Sequence, residues 1–368
     1  MKDQEKAKHG GNIYEAARKC GGDISDFLDY SANINPLGLS PRVRTALING
    51  LDSVTAYPDP DAVALKQAIS DTYQVPADWI EAGNGAVELI YLLCRVLSPQ
   101  RVLIPSPTFS EYAAAAQAAG VTCETIPLDK DTDFFPSIAE LSQKLKSKDL
   151  LFLCNPNNPT GCVLSRQQLE PLIQKASVVG AHIVVDESFN DFRLTAEAES
   201  CRTLIDRYPG VIVLHSLTKF LAVPGLRLGF MLSRPELAER IKCLRDPWNV
   251  NVMAQTAGVA GLLDQEYRLK TVALIEQEKE KMFRGLQSIK SVRVFPPAVN
   301  FVLADLSDSG WDAGKLQEAL MGYRILIRNC ANFVGLSNRY MRVAVKGSGE
   351  NQRFLRILNK IIIGVDVK

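Results

Sequence analysis

Five short runs of nearly unbroken apolar, β-prone residues constrain this chain more than any other feature. They are RVLIP (101–105), LLFLCNP (150–156), HIVVDES (182–188), VIVLHSL (211–217) and LGFML (228–232). Strands apolar on both sides belong to a sheet covered on both faces. Helical patterns lie at 86–97, ahead of the first run, and at 110–120 and 165–180, between the runs that follow. In the third, Ser165 and Gln168 have the spacing of a capping box, and Gly180 stands where a helix stops. Strand–helix alternation of this kind predicts an α/β domain with a mainly parallel sheet.

After about residue 235 the pattern changes. PELAERIKCLRD and the charged stretch 265–285 read as long helices, the second linking two lobes. NFVLADL (300–306), ILIRNC (325–330) and YMRVAV (340–345) read as strands, and 349–363 as a closing helix. A smaller α+β lobe joined by part of the N-terminus is expected, and 368 residues suffice for two cores.

The formal net charge of +1 makes no whole-chain case for nucleic acid or an anionic membrane. The eight cysteines are scattered without a C-x-x-C pair, which argues against a disulfide framework and a zinc site, so no metal is expected. The N-terminal MKDQEKAKHGGN has no apolar signal core and no window reaches transmembrane length. These features lead to an expectation of a cytoplasmic protein with reduced thiols.

In open α/β sheets, ligands gather at the carboxyl ends of strands. Here three successive ends are polar: NPNNPTG (155–161), DES (186–188) and HSLTK (215–219). A buried ammonium is costly unless paired, neutralised or chemically used, and the amine of Lys219 can form a Schiff base with an aldehyde. Asp186 offers a carboxylate able to keep a ring nitrogen protonated. Ser216, Arg227 and the turn GNGA (83–86), directly ahead of a helix, offer phosphate donors. Asn158 can donate to a phenolic oxygen. Amine, acid, phosphate cup and phenolate donor together match the needs of pyridoxal 5′-phosphate.

NNPTG, then D-E-x-F, then S-L-T-K with an arginine eight residues past the lysine, resembles the fold-type I aminotransferase superfamily, near its histidinol-phosphate aminotransferase branch. The resemblance implies a large cofactor-binding domain (41–265) with a mainly parallel seven-stranded sheet. It also implies a smaller α+β domain (266–368) and an N-terminal segment (1–40) packing near the active site. It places the cofactor on Lys219, its ring nitrogen on Asp186, its ring oxygen at Asn158 and its ring face on Phe109. Gly85, Ala86, Ser216 and Arg227 would hold its phosphate. Tyr57 would reach the phosphate in a partner subunit, implying a homodimer, and Arg342 would clamp a substrate carboxylate.

HGGNIYEAA (9–17), DYSANINPLG (29–38), SLTKFLAVPGLRLG (216–229), PWNVN (247–251) and ILIRNCANFVGL (325–336) are similar to the L-threonine-O-3-phosphate decarboxylase family. Phe189, where histidinol-phosphate aminotransferases usually have tyrosine, agrees with that family. The implied reaction is loss of CO₂ from O-phospho-L-threonine, giving (R)-1-amino-2-propanol phosphate for the cobalamin nucleotide loop, with O-phospho-L-serine as a second possible substrate. His9, Asn33, Asn158, Arg328 and Arg342 are the expected substrate contacts, while His182 and His215 are read as structural. Histidinol-phosphate transamination is the alternative. A catalytically silent cofactor-binding regulator is a further one, against which Lys219, Asp186, Arg227 and Arg342 all stand.

Overall fold

A computed structural model describes residues 10–364. A helix (Ile13–Cys20) and a two-residue strand, β1 (Leu28–Asp29), lead into helices Pro41–Asn49 and Val63–Tyr73. The large sheet follows, made of β2 (Ile80–Gly83), β3 (Arg101–Ser106), β4 (Thr122–Pro127), β5 (Asp149–Cys154), β6 (His182–Asp186), β7 (Val211–Ser216) and β8 (Gly229–Leu232). Their spatial order is β2-β8-β7-β6-β5-β3-β4, with β8 antiparallel to both neighbours and the β7-to-β4 pairings parallel.

Both faces of this sheet are covered, as the unbroken apolar runs require. Val185 and Val213 pack on one side with Leu169 and Ile173 of helix Arg166–Val179. On the other, Phe152, Val184, Ile212 and Leu214 pack with Leu89 and Leu93 of helix Ala86–Leu97. The capping box forms: the Gln168 amide donates to Ser165 Oγ at 3.2 Å and the Ser165 amide to Gln168 Oε1 at 2.8 Å. Gly180 ends the same helix at φ +75°, in the left-handed region where glycine carries no steric penalty.

Helix Gln265–Gln287 runs from beneath this sheet to a second one. The second sheet contains β9 (Arg293–Val294) and β10 (Phe301–Asp305), and, after β11 (Ile325–Leu326), also β12 (Arg328–Asn329) and β13 (Tyr340–Ala344). It is antiparallel, in the order β12-β13-β10-β9, while β11 instead pairs parallel with β1. The stretch ILIRNC, expected as one strand, is therefore divided between two sheets at Ile327. Four further strands have no counterpart in the sequence reading: the two-residue β1 and β9, and β2 and β4. β2 is only four residues long, and the edge strand β4 shows several of its side chains to solvent. All eight cysteines are free, and among the described residues no helix is long and apolar enough to cross a membrane.

Candidate active site

Lys219 lies in a single helical turn, Leu217–Phe220, that starts where β7 ends. Its Nζ is 3.3 Å from Ser216 Oγ, which in turn meets Thr218 Oγ1 at 2.8 Å. Burial, then the charge of Arg227, pushes the ammonium down to about 8, against the opposing pull of Asp186. The chain then reaches Arg227 at φ +60° before returning as antiparallel β8, so one hairpin-like excursion carries both cations.

Asp186 ends β6, the strand beside β7, and is buried. Tyr112 Oη donates to its Oδ2 at 2.6 Å and the Ser188 amide to its Oδ1 at 2.9 Å. Tyr112 stacks on Phe152, with ring centroids 4.9 Å apart, and meets Phe109 edge-on at 5.6 Å. The two hydrogen bonds thus fix the orientation of the carboxylate.

Gly85 sits immediately ahead of helix Ala86–Leu97 at φ +78°. A Cβ built there would lie 2.5 Å from Arg227 Nη2, so only glycine lets the guanidinium lie over this helix start. Free backbone N–H groups, the helix dipole and the Arg227 fork converge on one spot. Ser216, from the adjacent strand end, belongs to the same corner of the sheet.

On the smaller sheet, Arg328 and Arg342 are directly opposite each other in the β12–β13 register, and both are buried. Arg342 donates to Asn158 Oδ1 and, at 2.8 Å, to the Ser31 carbonyl, and stands 5.4 Å over the Phe301 ring. Its Nε is buried without a partner. Burial brings this guanidinium down to about 10, with Arg328 acting in the same sense and Cys330 against it. Arg328 Nη2 donates to Asn332 Oδ1 at 2.7 Å. Asn33 is buried nearby in the chain from Ser31, with its Oδ1 unpartnered and its carbonyl accepting from Asn300 Nδ2 at 3.0 Å.

The fold therefore joins two clusters. Lys219, Ser216, Asp186 and Phe109, with Arg227 over Gly85 and Ala86, occupy the strand ends of the large sheet. Arg342 reaches from the small sheet to Asn158. Tyr57 stands apart, 79% exposed and stacked on Trp248 at 4.4 Å. His9 lies outside the described residues. Phe189 is buried edge-on against Phe301. Sequence reasoning missed Tyr112, which lies in the first turn of helix Glu111–Ala118, three residues after Phe109. It also missed Asn300, which acts through its side-chain amide, and Ser31, which lies within DYSANINPLG but acts through its carbonyl. His215 is buried and stacks on Phe230, with Glu187 Oε2 3.6 Å from Nε2. Burial takes its imidazole down to about 4.

Residues 25–361 match the family described as aminotransferase class I and II, so the chain belongs to that family. Within it, the chain is 38% identical to the threonine-phosphate decarboxylase of Salmonella typhimurium, over 97% of each chain. It is 34% identical, over 97% of its own length and 41% of the relative's, to an adenosylcobalamin biosynthesis bifunctional protein of Leptospira interrogans. Among solved structures, the histidinol-phosphate aminotransferase of Clostridium acetobutylicum superposes with a TM-score of 0.86 at 31% identity, covering 92% of this chain and all of that one.

Proposed function

We propose that this chain is a pyridoxal-phosphate-dependent carboxy-lyase that decarboxylates O-phospho-L-threonine to (R)-1-amino-2-propanol phosphate for the cobalamin nucleotide loop. One observation carries the reading beyond the fold: two buried arginines paired across β12–β13 beside Asn158, suited to a substrate with two anionic groups. The similarity to the decarboxylase, 38% over nearly all of both chains, supports the same choice. A pocket separates substrates differing by one methyl group by only about 1–3 kcal/mol, so O-phospho-L-serine is expected to react as well.

The residues present fit the cofactor. Gly85 leaves space that a Cβ would fill beside Arg227, Lys219 has a depressed pKa, and Asp186 is a buried, oriented carboxylate. Lys219 would hold it covalently, and Asp186 would face its ring nitrogen. Asn158 would reach its ring oxygen, Phe109 would lie on its ring, and Gly85, Ala86, Ser216 and Arg227 would bind its phosphate. When bound, it supplies an electron sink for the bond broken at Cα.

Reaction choice is then a matter of positioning, since the bond at Cα standing perpendicular to the sink is the one that breaks. Arg328, Arg342, Asn33 and His9 hold the substrate phosphate and carboxylate so that the Cα–carboxylate bond is presented. Lys219 or a water would return a proton to Cα once CO₂ has left. Phe189 and Phe301 wall the Arg342 side with apolar surface, which keeps water from competing there.

The division into an N-terminal segment (1–40), a large domain (41–265) and a small domain (266–368) completes this reading. We further place the protein in the cytoplasm as a homodimer, with Tyr57 reaching the partner subunit's cofactor phosphate. The likeness to histidinol-phosphate aminotransferase supports a second reading, transamination of histidinol phosphate. Incubating the cofactor-loaded enzyme with O-phospho-L-threonine, and separately with histidinol phosphate and a 2-oxoacid acceptor, decides between them. CO₂ release without an amino acceptor is expected; acceptor-dependent transfer from histidinol phosphate with no CO₂ would refute the decarboxylase.

A further inference from the structure

A one-turn helix is a poor platform for a residue that must be held accurately, because its last carbonyls have no partners within the helix. The turn carrying Lys219 faces this problem at Lys219 and Phe220. The Lys219 carbonyl has a long local contact, the Ala222 amide at 3.3 Å, and the Phe220 carbonyl a long one from Tyr267 Oη at 3.4 Å; the residue that meets both at shorter range, from a distant part of the chain, is Asn35. Its backbone amide donates to the Lys219 carbonyl at 3.0 Å and its Nδ2 to the Phe220 carbonyl at 2.8 Å. Nδ2 also donates to Thr271 Oγ1 at 2.7 Å, and Oδ1 accepts from the Leu37 amide at 3.0 Å. Every polar group of this side chain is engaged, and the residue is 2% exposed.

The segment leading to Asn35 is held at its other end by the small sheet. The Ala344 amide donates to the Tyr30 carbonyl at 2.9 Å, Arg342 Nη2 to the Ser31 carbonyl and Asn300 Nδ2 to the Asn33 carbonyl. Six residues thus run from the strand bearing Arg342 to the backbone of the lysine.

We propose that Asn35 is a positioning residue for Lys219, and that segment 30–35 ties the lysine turn to the sheet carrying Arg342. The role assigned to Lys219 rests on the function proposed above, whereas the hydrogen bonds and the amine's environment do not. A loosened turn lets Nζ swing towards water, away from Arg227, so its proton affinity rises.

The deciding measurement uses the cofactor-free protein: the pH dependence of Lys219 acylation by acetic anhydride, read by peptide mass spectrometry. In Asn35→Ala the midpoint should rise by about one pH unit over the native protein. In the loaded enzyme, kcat should fall about tenfold with KM changed less than about twofold. A purely architectural asparagine would lower the melting temperature and leave the midpoint in place. An unchanged midpoint in folded Asn35→Ala overturns the proposal. Should that variant not fold, Thr271→Val decides: it removes one Nδ2 partner, and a raised midpoint supports the proposal while an unchanged one overturns it. A native protein that takes up no pyridoxal phosphate would defeat the functional reading alone, because the acylation result stands without it.

Discussion

The amine of Lys219 has an ordinary pKa of 10.5 and is drawn down to about 8 by its surroundings. Between those values the unfolded chain holds a proton that the folded one does not, so stability rises with pH across that window. Below about pH 8 the fold carries the full cost of an enclosed ammonium. Lys219→Met should therefore melt higher than the native cofactor-free protein at pH 7, with the gain shrinking as pH climbs from 8 towards 10.5. Calorimetry of both proteins across that range checks the sign; a constant difference would refute it. The residues that the sequence singles out are those whose chemistry is written in a motif: Lys219, Asp186, Asn158, Arg227 and Arg342. Tyr112 and Asn300 escaped, and Ser31 and Asn35 went unassigned although their block DYSANINPLG was noticed, because all four act on a partner fixed by tertiary structure. A lone tyrosine or a backbone carbonyl has no spacing that announces such a partner.

Among the elements, the turn before helix Ala86–Leu97 is the most exacting. Gly85 adopts φ +78° and a side chain there would strike the Arg227 guanidinium. Gly85→Ala should keep the fold, since the helix beyond it is anchored by Leu89, Ile90 and Leu93. It should also weaken cofactor phosphate binding at least about tenfold, or roughly 1.4 kcal/mol. Equilibrium titration of the cofactor-free variant with pyridoxal phosphate measures this, and native-like affinity would contradict it. At this scale legibility followed burial. Strands β3, β5, β6, β7 and β8 were visible because two covered faces leave an unbroken apolar run. β2 and β4 were not, being very short or at the wet edge. The break at Ile327 was hidden because apolar character states that a strand is buried without stating in which sheet.

For the molecule as a whole, Tyr57 is the outlier: a large aromatic, mostly exposed and braced on Trp248. If it serves a neighbouring copy, two damaged subunits can repair one another. Tyr57→Ala and Lys219→Ala enzymes, each nearly inactive alone, should recover part of the native activity when mixed and allowed to exchange subunits. No recovery, with exchange demonstrated by mass, would exclude a shared site. The path of residues 28–35 has a different consequence, one for the chain during its own synthesis. Their partners at Leu326 and Ala344 are made some three hundred residues later. Until then the growing polypeptide can assemble its large sheet but has nothing to hold the segment on which the lysine turn leans. Such long-range closure belongs to the late, slow steps of folding. The enzyme would be catalytically silent on the ribosome and become competent only as its final strand emerges.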